Sequence, residues 1–152
     1  MIAFEEKVRL GGVPALDEYF KFFSNGERLR DSFFRLAGRL NELKIPYAMM
    51  GGAALAVHGA CCGTRDLCVL IGTETTTTEI GGVCFINLES FIEYKLASGM
   101  NQLALVSELA DVIELIKARN LDKEFALKLN PNVREKYLEL CRAVQNEPAM
   151  DE

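Results

Sequence analysis

The sequence predicts an α+β fold in which a small mixed β-sheet with flanking helices precedes a helical C-terminal half. Two short apolar runs, 45–50 and 67–71, flank a Gly-Gly pair and are typical of buried strands. From position 88 onward, apolar residues recur at steps of three and four, which is the period of amphipathic helices. The sheet is therefore expected in the middle of the chain, followed by helices.

Helices are also predicted before the first strand. Apolar residues recur at helical spacing over 26–44, and Ser24 or Asn25 is suited to the N-cap of this helix. A second helix is expected over 16–24, which has more aromatic residues than a solvent-facing surface needs: Tyr19, Phe20, Phe22 and Phe23. We expect these aromatic side chains to lie in the core, with a homodimer interface as the alternative.

The predicted sheet elements follow one another closely along the chain. Ile45-Pro46 ends the preceding helix, and the strand 45–50 leads into a short helix at about 53–58 and then into the strand 66–71. The threonine-rich stretch 72–82 fits an edge strand or a polar loop, and its bounding glycines favour a turn. The run 83–88 is the third strand candidate.

The C-terminal half carries three helical patterns. One apolar stripe covers 88–96, and a second, more regular one covers 105–116. The last helix is expected to start at Asn130-Pro131, because Asn is a good capping residue and Pro suits the first helical position.

Length and hydropathy indicate one domain without a membrane segment. At 152 residues the chain can bury a sizeable core. We expect an α+β core at 1–100, a helical tail packed on it at 101–146 and a disordered end at 147–152. No apolar run has the length of a membrane span, and the N-terminus lacks the pattern of a signal peptide. The predicted location is the cytoplasm.

Charge and cysteine content exclude two broad classes of protein. The net charge is −5 and the 17 basic residues are scattered along the chain, which argues against a nucleic-acid-binding module. A small nucleotide that carries its own metal ion remains compatible. The five cysteines, with Cys61 and Cys62 adjacent, do not form the framework of a small disulfide-rich fold. Reduced thiols are therefore expected.

The glycine pair carries the clearest functional signal. The strand 45–50 would deliver Gly51 and Gly52 to the first turn of a helix. The absence of side chains there lets a triphosphate approach free backbone N–H groups at the positive end of the helix dipole. A structural alternative is a tight strand-to-helix turn that serves packing alone.

The glycine pair and the acidic residue after it resemble the signature of the nucleotidyltransferase superfamily. This superfamily includes DNA polymerase beta, the kanamycin and lincosamide nucleotidyltransferases, and small nucleotidyltransferase-like proteins of bacterial toxin–antitoxin and phage-defence systems. Its signature is an apolar residue, Gly, then Gly or Ser, a spacer, and Asp-apolar-Asp/Glu in a strand. Met50-Gly51-Gly52 supplies the first part here, and Asp66-Leu67 supplies the second. The order of later segments extends the resemblance over about 40–125.

The resemblance implies roles for individual residues. Asp66 would be the catalytic metal ligand, with Mg²⁺ as the metal and a nucleoside triphosphate as the ligand. Gly51 and Gly52 would contact the phosphates, as would Thr64 and Arg65 at the end of the spacer. His58 lies in a region that is near the phosphate pocket in the family. Arg65 pairing with a surface carboxylate, and Asp66 bonding to a loop, are the structural alternatives.

Two features depart from the family pattern. Cys68 stands where the family has its second metal-binding carboxylate, and a thiol is a poor ligand for Mg²⁺. The third carboxylate should lie on a strand such as 83–88, which contains none, and the nearest candidates are Glu74 and Glu79. The interval between the second and third strands is also shorter than the family usually has. Reduced or absent catalysis is therefore expected.

Two other chemistries use some of the same residues. His58, Cys61, Cys62 and Cys68 have zinc-binding side chains, but adjacent cysteines point in different directions and no Cys-x-x-Cys is present. A hydrolase would have to use His58, the chain's one histidine, and no serine lies in a nucleophile-elbow motif. A helix-end histidine bonded to the backbone is the simpler interpretation of His58.

The favoured function is that of a nucleotidyltransferase-like protein that binds a nucleotide or has a regulatory or defence role, with reduced or absent catalysis. One alternative is an active metal-dependent transferase that moves a nucleoside monophosphate to a small molecule or a protein. The other is a protein-interaction module with a vestigial site, whose helical half binds a partner protein.

Overall fold

The computed structural model describes residues 4–60, 67–72, 75–101 and 106–147. It confirms the α+β class, with several helices and a four-stranded mixed sheet. The chain divides into two compact units, 1–90 and 91–152. The first unit holds the sheet and the glycine pair.

Three helices precede the sheet: α1 (Phe4–Arg9), α2 (Gly12–Lys21) and α3 (Gly26–Glu42). Helix α3 confirms the prediction, and Asn25 is its N-cap residue, although its side chain makes no capping hydrogen bond. Helix α2 starts four residues before the predicted segment and ends at Lys21. Helix α1 was not predicted.

The sheet contains β1 (Tyr47–Met50), β2 (Leu67–Ile71), β3 (Thr77–Ile80) and β4 (Val83–Ile86) in the order β2-β1-β4-β3. Strand β1 is antiparallel to β2 and parallel to β4, while β3 and β4 are antiparallel. All four residues of β1 are buried, as expected for a central strand.

Within the threonine-rich stretch, Thr77–Ile80 forms β3, an edge strand of the sheet. The preference for a turn over a strand is therefore wrong for these residues. Strand β3 pairs residue by residue with β4, from Thr77 opposite Ile86 to Ile80 opposite Val83. Gly81 and Gly82 make the connection with φ values of 60° and 79°, both in the left-handed region. A two-residue hairpin turn of this kind requires positive φ at both positions, so the glycines produce the hairpin that makes the threonines a strand.

Aromatic side chains from α2 and α3 reach the sheet. The ring of Phe33 lies 5.4 Å from the ring of Phe20 and 6.1 Å from that of Phe85 on β4, measured between centroids. Phe85 is fully buried, and Tyr19 and Phe20 are also buried. The predicted core location is confirmed for Tyr19 and Phe20, whereas Phe22 is 51% exposed.

Helices follow β4. Helix α5 runs from Leu88 to Asn101, α6 from Val106 to Arg119 and α7 from Pro131 to Gln145. The predicted start of α7 is confirmed, because the Asn130 side chain accepts a hydrogen bond from the backbone N–H of Asn132 at 3.0 Å.

A 3-10 helix at Lys123–Lys128, between α6 and α7, was not predicted. Its N-cap is Asp122, whose side chain accepts hydrogen bonds from two backbone N–H groups. The Tyr137 hydroxyl donates a hydrogen bond to the Asp122 carbonyl at 3.0 Å and joins this segment to α7. Among the described residues, no helix is both long enough and apolar enough to cross a membrane.

Candidate functional site

The glycine pair lies where β1 passes directly into a helix. Helix α4 (Gly51–Val57) begins at Gly51, which confirms the prediction that the glycines open a helix. Met50 has an extended backbone, and Gly51 then adopts φ 67°, a conformation that glycine tolerates better than other residues. The side chain of Met50, the N-cap residue, makes no capping hydrogen bond. The first turn of α4 therefore lacks the N-cap acceptor that many helices have.

Strand β2 lies beside this turn, as predicted. Met50 is opposite Cys68 in the antiparallel register, and Gly51 forms an isolated bridge with Leu67. The carboxyl end of β1 and the amino end of β2 therefore lie side by side at the same end of the sheet. Asp66 is the residue before Leu67 in the sequence. The predictions for Asp66, Thr64 and Arg65 concern residues outside the described part of the chain, as does the zinc hypothesis for Cys61 and Cys62.

Burial limits how a ligand could reach the turn. Gly52 is buried, and so are the residues after it through Ala60, whereas Gly51 is half-buried. A ligand would thus have to approach from the Gly51 side. Helix α4 has seven residues, or about two turns, so its dipole offers an anion only a modest attraction.

His58 lies at the other end of α4. It follows the last helical residue, its side chain is buried, and its Nε2 atom is 2.8 Å from the carbonyl oxygen of Ile86 on β4. Because a carbonyl only accepts hydrogen bonds, Nε2 carries the proton in this contact. The interpretation of His58 as a helix-end histidine bonded to backbone is confirmed. From the rise per residue, His58 lies about 10 Å along the helix from Gly51. A contact between His58 and a phosphate stays a prediction.

Of the candidate carboxylates, Glu79 does not lie at the turn, while Asp66 and Glu74 fall outside the described residues. Cys68 is exposed on β2, an edge strand, and β4 carries no acidic residue. Glu79 lies on β3, at the opposite edge of the sheet from β2. Three strand spacings separate these edges, which is about 14 Å. Within residues 4–60, 67–72, 75–101 and 106–147, no group of three or more His, Cys, Asp or Glu side chains could hold a metal ion.

A surface groove of about 740 Å³ lies away from the glycine turn, between the end of α2 and the start of α3. Its lining includes Asp17 and Arg30, whose side chains are joined by a 2.8 Å ion pair, and the ring of Phe20. Sequence reasoning did not find this groove, because the pairing of Asp17 with Arg30 depends on how the two helices fold back.

Sequence reasoning also missed a buried charge cluster in the 91–152 unit. The Lys95 side chain is 8% exposed, and its Nζ atom lies 2.8 Å from both Asp111 Oδ2 and Glu108 Oε2. The Glu108 contact is an ion pair without hydrogen-bond alignment. Burial acts to lower the pKa of Lys95, but Asp111 and Glu108 outweigh it and the pKa is raised.

A lysine with a raised pKa remains protonated at neutral pH and therefore cannot act as a nucleophile or general base. The Lys95 cluster thus serves the structure of this unit.

Comparison of the chain with protein-family models, curated proteins and solved structures finds no significant match.

Proposed function

We propose that this protein binds the phosphates of a nucleoside triphosphate at the Gly51-Gly52 turn, as a nucleotidyltransferase-like protein with little or no transferase activity. The observation that carries the proposal is the direct passage from β1 into α4 at Gly51, with the start of β2 bridged to that glycine. Uncapped N–H groups at a glycine turn are suited to binding an anion.

Asp66 is the carboxylate that we assign to the metal in this proposal. It is bonded to Leu67, whose backbone pairs with Gly51. An oxygen ligand of this kind suits Mg²⁺, which the phosphates of the nucleotide would also bind. The regulatory or defence role rests on the resemblance to the small nucleotidyltransferase-like proteins.

The donor set does not fit a centre with two metal ions. Such a centre needs several carboxylates around ions about 4 Å apart. Cys68 offers a thiol, and Glu79 lies at the far edge of the sheet. We therefore assign no transfer step to the described residues, and the active transferase is the weaker alternative.

Triphosphate binding is expected to be weak and localised. Titration with ATP, GTP, CTP or UTP in Mg²⁺ should shift the backbone amide signals of residues 50–54, with a Kd of about 1 mM, because one short uncapped helix turn supplies little binding energy. Gly52→Val should abolish these shifts, since its side chain would occupy space at the turn. Asp66→Asn should remove the part of the affinity that depends on Mg²⁺.

The control for this titration is Gly38→Ala, on the exposed surface of α3, which should bind as the wild type does. Amide signals elsewhere report whether Gly52→Val remains folded. If residues 50–54 do not respond to any of the four nucleotides at 10 mM, far above the expected Kd of about 1 mM, the turn is structural and the nucleotide proposal fails.

No efficient nucleotidyl transfer is expected from the wild type. Incubation with labelled nucleoside triphosphates and Mg²⁺ or Mn²⁺ should leave the protein and small-molecule acceptors unlabelled, since Cys68 removes a metal-binding carboxylate. Cys68→Asp should raise transfer above background. The new charge would be tolerated because Cys68 is exposed.

Cys68→Asn is the matched control, because it has a similar size without the charge and should give no gain. Robust transfer by the wild type that is lost in Asp66→Ala would instead establish the active transferase.

A further inference from the structure

Helix α3 has a row of apolar residues at heptad-like spacing. The protein core covers only one side of this row. The apolar positions follow one another at alternating steps of four and three, the spacing of a coiled-coil seam. They are Leu29, Phe33, Leu36, Leu40 and Leu43. Phe33 and Leu40 are buried, but Leu36 is 43% exposed and Leu43 is 52% exposed. Leu29 is half-buried. The leucines at steps of seven thus form a line on the surface.

Arginines border this leucine row on the side away from the core. At about 100° per residue, Arg39, Arg28 and Arg35 lie about 60° to 100° around the helix from Leu36, opposite to the direction of Phe33 and Leu40. Arg39 pairs with Glu42 at 2.9 Å. Arg28 and Arg35 form no ion pair within the ranges that the structure describes. This basic edge contrasts with the net charge of −5 of the whole chain.

We propose that the row Leu29-Leu36-Leu43, with its arginine edge, binds an acidic amphipathic helix of another protein. Successive leucines are separated by seven residues, or about 10.5 Å along the axis, which matches the repeat of a partner helix that also presents one leucine per heptad. Glutamates flanking the partner's leucines would pair with Arg28 and Arg35, as flanking charges do in coiled coils. The proposal does not depend on the nucleotide site.

The narrow width of the leucine row favours a helix over a membrane surface as its binding partner. Seven-residue steps drift by about 20°, so the three leucines span about 40° of the helix circumference. Membrane-surface helices bury an apolar face of about 100° or more, usually with aromatic residues. On α3 the neighbouring apolar positions already face the protein core. The surface that remains has the width of a contact with a single helix.

Repulsion between arginines argues against a second copy of this chain as the partner that binds the leucine row. If two copies of α3 packed antiparallel about a two-fold axis, their arginine edges would lie side by side and repel each other. If they packed parallel, each arginine edge would meet the partner's opposite edge, where Phe33 and Leu40 are already buried. An acidic partner avoids both conflicts.

The test uses a defined probe. A fluorescent peptide of three heptads, with leucine in its seam and glutamate at the flanking positions, should bind the full-length protein with a Kd of about 10 to 100 µM. Leu36→Asp should weaken binding at least about tenfold, and Arg28→Glu with Arg35→Glu should do the same. Leu127→Asp is the matched control, because Leu127 is an exposed leucine on the 3-10 helix and should have no effect.

A charge exchange tests the assigned contacts even if Leu36→Asp impairs folding. The protein with Arg28→Glu and Arg35→Glu should bind a peptide in which lysines replace the glutamates, and the wild type should not. The proposal is overturned by equal binding of the two peptides, or by no binding of the acidic peptide at 1 mM, well above the expected range. Dimerisation or binding to phosphatidylserine vesicles that Leu36→Asp abolishes would also overturn it, in favour of a second copy or a lipid surface.

Discussion

Replacing Lys95 by Met is expected to lower the free energy of unfolding by about 3 kcal/mol at pH 7, the cost typical of removing one partner from a buried ion pair. Lys95 Nζ contacts Asp111 and Glu108, and the side chains of these two residues are 16% and 21% exposed. Without the ammonium, two carboxylates remain close together with little access to water. Methionine preserves most of the lysine volume, so the loss reports on charge and not on a cavity.

The pH dependence of the variant identifies the cause. In the wild type the folded-state pKa of Lys95 lies above the ordinary lysine value of 10.5. Its stabilisation is therefore complete below that value and is lost as the pH rises through the folded-state pKa. The deficit of Lys95→Met should therefore be full at pH 7 and shrink as the pH rises above 10.5.

Denaturation in urea at pH 7 and at a pH above 10.5 measures the deficit, and hydrogen exchange should place it in α5 and α6. Lys117→Met is the control, because its pair with Glu147 is exposed and should contribute less than about 1 kcal/mol. A deficit for Lys95→Met that is the same at both pH values would show that packing, and not charge, determines the result.

Much of the fold could be predicted from periodic apolar patterns in the sequence. Helix α3 and the strand-glycine-helix unit at Gly51 were predicted because apolar spacing there reflects burial directly. Helix α1 was missed because its six residues include only Phe4 and Val8 as apolar side chains, too few to show a period. Strand β3 was undervalued because its threonines gain order from pairing with β4 across the Gly81-Gly82 turn, which their own composition does not reveal.

The candidate site was predictable only where a local motif defines it. The glycine turn was found because a strand, two glycines and a helix follow each other in the sequence. The role of Lys95 could not be predicted from the apolar stripe around it, since its partners lie on the next helix. The location of Glu79 at the far edge of the sheet depends on the strand order, which sequence periodicity does not encode.

Alanine substitutions at two glycines of α3 are expected to have opposite effects. A Cβ atom on Gly26 would lie 2.1 Å from the carbonyl oxygen of Phe20, where the chain turns from α2 into α3. The obstacle is backbone, so relief requires a shift of one helix against the other. We expect Gly26→Ala to cost about 3 kcal/mol, the upper part of the range for overpacking.

Gly38 lies on the exposed face of the same helix, and a Cβ atom there meets no atom within 4 Å. Alanine loses less backbone entropy on folding than glycine, so Gly38→Ala should stabilise the protein by about 0.5 to 1 kcal/mol. Chemical denaturation of both variants measures the two changes, and equal slopes against denaturant would show that the same unfolding is compared. Because both substitutions add one methyl group to one helix, helix propensity alone predicts a gain for both. A stabilised Gly26→Ala would therefore contradict the close approach of α2 to the start of α3.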